Sequence, residues 1–268
     1  MQVARELVRH LVDAVLWDLE ESAWMYHGSS NRDIKSLQPD RSEYMIDRAI
    51  GSHFAADKAV SQRFAAVGHS LYGGEKPKEP GILYKAKAPP RSQLHVIHQK
   101  NYRDKQTGKV FAKQSDQDAI GSHVAGTVFS QHKDMFKDWV KHARHVDDAT
   151  AEGIHAHLSK GLAPSKKKFG DLAGSDRHNT FHGYMSNFDS GLHMEPRKGF
   201  KQEVVHKYLD IMHKRGIKGL VYDNTSPMET QHQGAGSPHD KAGFAPVRSK
   251  KSYVIFHPHE LELQHDTT

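Results

Sequence analysis

Two periods alternate along this chain: apolar residues three and four apart, and short runs of bulky β-formers bounded by Gly, Pro or polar turns. Val3, Leu7, Leu11, Val15 and Leu19 recur at four-residue steps and are interrupted by Arg5, Glu6, Arg9, Asp13 and Asp18. This predicts an amphipathic helix over residues 1–23 rather than the unbroken apolar core of a signal peptide. Trp24-Met25-Tyr26-His27 then runs into Gly28-Ser29-Ser30, a short strand giving way to a polar turn at His27. Gly51-Ser52-His53-Phe54-Ala55-Ala56 reads as a turn or strand feeding a helix over residues 58–67. There Ala59, Val60, Phe64 and Val67 share a face, with Asp57 placed to cap it.

Further strands are predicted at residues 82–87 and 94–97. From about Tyr102 to Glu195 the β alternation is lost and charge, His and Gly increase, with helices expected around residues 135–145 and 149–158. The pattern predicts a domain over residues 24–263 carrying a His-rich insertion at 102–199, with 264–268 as a tail. Val205, Tyr208, Leu209 and Met212 form one stripe of a helix over residues 202–214, stopped by Gly216. A buried strand follows at residues 219–222, then a Ser-, Pro-, Gly- and His-rich connection, and a last strand at 252–256 closed by His257-Pro258.

Composition narrows the chemistry. The 38 Lys and Arg exceed the 32 Asp and Glu, giving +6 at neutral pH, which would attract a dinucleotide or a nucleic acid without choosing between them. With 0 Cys, disulfides, thiol nucleophiles and Cys-based zinc sites are excluded. A mean hydropathy of -0.74 implies much exposed surface. No apolar run approaches the roughly 20 residues of a membrane span, so a soluble protein with no membrane partner is expected. Histidine pairs at His142/His145, His155/His157 and His257/His259 invite a metal, but none has His-Glu-x-x-His spacing, and no dedicated metal site is expected. Lys166, Lys167 and Lys168 could meet phosphates, although short lysine runs usually form solvated loop surface.

Three separated pieces resemble the ADP-ribosyltransferase superfamily: Tyr26-His27-Gly28-Ser29, Gly51-Ser52-His53-Phe54, and Gly219 to Asn224 with Glu229 before Ser252-Tyr253-Val254-Ile255-Phe256. They stand in the family's order, and residues 24–100 and 200–263 carry the likeness. The chain most resembles the compact domains of phage and mobile-element polyvalent proteins, related to the His-Tyr-Glu branch that includes diphtheria toxin and the poly(ADP-ribose) polymerases. The resemblance implies an α+β fold: a split pair of small, mainly antiparallel sheets around an NAD cleft, an N-terminal helix, and a large partly helical insertion. It implies NAD as substrate, a macromolecular acceptor (protein first, nucleic acid kept open), and an effector acting in a bacterial cytoplasm.

The reaction asks little of the protein, because nicotinamide is already a cationic leaving group and the bond breaks through an oxocarbenium-like state. By resemblance His27 would hydrogen-bond the adenine-side ribose, and Gly28, beside Ser29, would offer its backbone to the carboxamide. His53 stands where the branch has a nicotinamide-stacking tyrosine, with Phe54 expected to pack inward although either ring could stack. Glu229 would be catalytic, stabilising the charge that develops on the nicotinamide ribose, with Asp223 as its rival. His182-Gly183 repeats the His-Gly pair without a strand-like approach. Tyr222 and Phe256 read as core. The departure at His53 leaves an alternative: a catalytically inactive binding module that engages nucleic acid or a virion partner.

Overall fold

Bulky side chains at alternate positions build most of the strands, and the computed structural model describes the chain at residues 24–29, 34–39, 46–67, 81–99, 101–103, 110–113, 115–144, 146–160, 198–224 and 250–266. The expected N-terminal helix, the lysine run at 166–168, His182-Gly183 and Glu229 lie outside these residues. Nine strands are described: β1 (Trp24–Ser29), β2 (Ser52–Ala55), β3 (Ile82–Lys87), β4 (Leu94–Ile97), β5 (Asn101–Arg103), β6 (Val110–Lys113), β7 (Gly219–Asp223), β8 (Lys251–Ile255) and β9 (Gln264–His265). Six α-helices accompany them: α1 (Ile46–Ile50), α2 (Lys58–Val67), α3 (Asp116–Gln131), α4 (Met135–Arg144), α5 (Asp148–Ser159) and α6 (Phe200–Lys214). The chain is thus a mixed α+β protein.

Contacts divide it into two compact units, one within residues 1–38, 52–96 and 216–268, the other within 39–51 and 97–215. In the first, seven strands form one sheet in the order β4-β7-β8-β2-β1-β3-β9. A split pair of small sheets was the expectation. The described strands are instead continuous, because β8 pairs antiparallel with β7 on one edge and with β2 on the other. Met25, Phe54, Ala86, Val221, Tyr253 and Ile255 point to one face of this sheet and form its core with Leu37 and Leu94. On the other face Trp24 lies opposite Lys87, whose Nζ sits 4.1 Å from the indole centroid, a cation–π contact that favours the β1–β3 register.

Gln264 and His265, read from the sequence as part of a tail over residues 264–268, form β9. Its two residues carry no signal of their own. The segment is held by the Asp266 carboxylate, 2.6 Å from Lys58 Nζ, and by the Asp266 N–H donating to Leu83 O.

The second unit is mainly helical, with β5 and β6 paired as an antiparallel hairpin. Helix α3, not anticipated, begins at Ser115, whose hydroxyl accepts from the Asp118 N–H. It packs against α6, while α1 packs on both. The predicted stripe on α6 is buried at Val205, Tyr208, Leu209 and Met212, and the chain leaves the helix through Gly216 at φ 71°. Helices α4 and α5 pack together, α5 being capped by the Asp147 carboxylate on the Thr150 N–H at 2.7 Å.

Candidate functional site

The β1–β2–α2 segment holds five of the six residues singled out in the sequence. Strand β1 delivers His27 half-buried, with Nδ1 2.8 Å from the carbonyl oxygen of His53 on β2. A carbonyl only accepts, so Nδ1 carries the proton. Desolvation pushes the His27 pKa below its ordinary value; the bond to His53 acts in the opposite sense, and the neighbouring His53 ring adds to the lowering. The imidazole is therefore neutral near pH 7, with Nε2 as an acceptor.

Phe54 lies beside it, the two ring centroids 5.6 Å apart and tilted by 56°. Phe54 is 2% exposed and belongs to the sheet core, the inward packing expected from sequence. Pleating then sends His53 to the opposite face, because side chains alternate along a strand. There its Nδ1 and the Tyr222 hydroxyl are hydrogen-bonded at 3.1 Å, the rings meeting edge-on. The fold thus brings His27 to the Phe54 ring and to the His53 backbone, and holds the His53 ring away on the other face. Tyr222 fulfils its reading as core and adds a polar contact that sequence reasoning missed. The alternation of Gly219 to Asp223 is the signal that aims it at the face His53 occupies.

Gly28 is dictated by packing. A Cβ there would stand 1.9 Å from Ser61 O and 2.8 Å from Ala65 N, both backbone atoms of α2. The helix therefore lies directly on the strand. Two further bonds fix it: the Ser61 hydroxyl donates to Tyr26 O at 2.7 Å, and the Asp57 carboxylate accepts from the Ala59 N–H at 2.9 Å, the predicted cap. Ser29 is half-buried opposite Ile82 of β3.

No family model, curated protein or solved structure matches the chain. The local geometry therefore has to carry any functional reading.

Register relates the two halves of the resemblance. Continuing the β1–β2 pairing from Tyr26↔Ala55 sets His27 beside Phe54, and Phe54 pairs with Tyr253, which pairs with Val221. His27 and Val221 thus share one row across four neighbouring strands, roughly 14 Å from end to end at the usual strand spacing. Three residues beyond Val221, the Asn224 N–H donates to Lys250 O at 2.6 Å and ties together the two ends of the 225–249 connection. Glu229 belongs to that connection and lies outside the described residues. Its rival Asp223 sits exposed at the end of β7.

Proposed function

We propose that this chain transfers ADP-ribose from NAD to a macromolecular acceptor and releases nicotinamide. The observation that carries the reading is the state of His27: a neutral, Nδ1-protonated imidazole fixed by the His53 carbonyl, on β1, the strand on which the resemblance calls for a ribose-binding histidine. Its Nε2 would accept a hydrogen bond from a ribose hydroxyl. Gly28, next along the strand, would present its backbone to the carboxamide, and Phe54 would back the His27 ring.

In the reaction the C1′–N bond to nicotinamide breaks, and the departing ring keeps the electron pair and leaves neutral. The Glu229 carboxylate would stabilise the positive charge left on the ribose. An acceptor nucleophile then bonds to C1′ and loses its proton to a base or to solvent; water in that place would give NAD hydrolysis. The resemblance suggests a phage or mobile-element effector directed at bacterial components, with protein as the first acceptor class.

One observation favours a second reading. The His53 ring, cast as the nicotinamide-stacking group, is bonded to Tyr222 on the face opposite His27. An inactive module that binds without turnover would tolerate this. Incubation with adenylate-labelled NAD and a bacterial lysate separates the two. The transferase reading expects label on lysate macromolecules together with free nicotinamide, and a loss of about tenfold in His27→Ala, the worth of one substrate hydrogen bond. Neither product, from a protein shown to be folded, supports the module, which would engage nucleic acid or a virion partner.

A further inference from the structure

Past β8 the chain makes a 3-10 turn over Pro258–Glu260, and His257, which precedes it, with His259 and Glu260 within it, each bring one ligand-type atom within 4.8 Å of the others. We propose that these three side chains bind one divalent ion of the zinc type.

The donor set is two imidazoles and one carboxylate. That combination occurs at zinc sites that keep a fourth position open for water or substrate. Bonds of about 2.0–2.1 Å put tetrahedral donors about 3.3 Å apart, so closing around an ion needs rotation of side chains and no backbone rearrangement. His259 and Glu260 are exposed and can rotate, and His257 is half-buried. The two imidazole rings already stand edge to face, 5.8 Å between centroids.

The backbone beneath them is fixed. Phe256 is 1% exposed, and its N–H donates to Lys218 O at 3.0 Å. Pro258 is buried at the first position of the turn, where its ring holds φ. The Glu260 N–H donates to His257 O and the Leu261 N–H to Pro258 O, and Leu261 packs against the sheet core. Three donors within four consecutive residues on such a turn need no distant segment to be ordered on binding, which lowers the entropic cost. The site stands apart from His27 in function: its occupancy does not depend on ADP-ribosyl transfer.

Calorimetric titration of the full chain with zinc chloride at pH 7.5 tests it. One well-defined equivalent is expected, weakened by at least about tenfold in His259→Ala and in Glu260→Ala, since each removes one of three protein ligands. His206→Ala, an exposed histidine on α6, should bind as the wild type does. Cobalt loading gives a second readout, with tetrahedral d–d absorption expected in the wild type and absent in His259→Ala. The same equivalent retained in both exposed-ligand variants, or no binding by the folded wild type, would overturn the proposal.

Discussion

Individual residues at the β1–β2–α2 junction carry consequences that differ in kind. Gly28 faces backbone atoms of α2, which cannot rotate out of the way, so Gly28→Ala must push the helix off the strand. Its cost is expected at about 1–3 kcal/mol, read as a lowered Tm whether or not NAD is present. His27 is a linkage case. Its folded pKa is depressed, so the unfolded chain binds the proton more readily, and stability rises with pH through the window from the folded pKa up to the unfolded value near 6.5. The contribution is complete above that value and is lost as pH falls through the window. Urea denaturation at pH 7.5 and at pH 5 should therefore show a larger drop for the wild type than for His27→Asn, and equal drops would refute the assignment. The sequence made His27 and Gly28 visible through an expected strand-to-turn change at His27, but β1 runs on through Gly28 and Ser29, paired with Leu83 and Ile82, because α2 packs on Gly28. Phe54 was visible through its place in an apolar run. The tie between His53 and Tyr222 was not visible, because it spans 169 positions and depends on β8 lying between their strands.

Elements were legible where period and punctuation agreed. Strand β3 and helix α2 fall where alternation and the Asp57 cap placed them, and Asp57→Ala should cost about 1 kcal/mol, with loss of helical signal on mild heating. Helix α3 escaped because its buried residues, among them Ala119, Ile120, Val124, Ala125, Val128 and Phe129, wrap a broad face instead of one stripe, while Gly121, Gly126 and Thr127 dilute its propensity. Strand β9 escaped for another reason: its position is set by the Lys58–Asp266 ion pair and by β3, contacts between residues far apart in sequence. Replacing Asp266 with Asn should loosen β9 first, seen as faster amide exchange at Gln264 and His265 with α2 still protected.

At the scale of the molecule, order along the chain and order in space part company. The sequence suggests one domain with a discrete insertion at 102–199. The contacts group that stretch with residues 39–51 and with α6, while 216–268 returns to the unit that holds β1 and β2. Hydrophobic period gives each helix its buried face but not its partner, so α6 was legible as a helix and its place beside α1 and α3 was not. The sheet unit is assembled from three separated segments, and the resemblance falls on it: His27 and His53 on its central strands, Glu229 on the connection joining β7 to β8. On the ADP-ribosyltransferase reading that connection supplies the carboxylate, Glu229, in preference to Asp223 at the end of β7. The most direct test measures nicotinamide released from NAD, with bacterial lysate present, by the purified wild type and by Glu229→Gln, each first shown to be folded. The account predicts release by the wild type and a fall of about 100-fold or more in the variant, as for loss of a group that acts on transition-state charge. Equal release by the two proteins would contradict it.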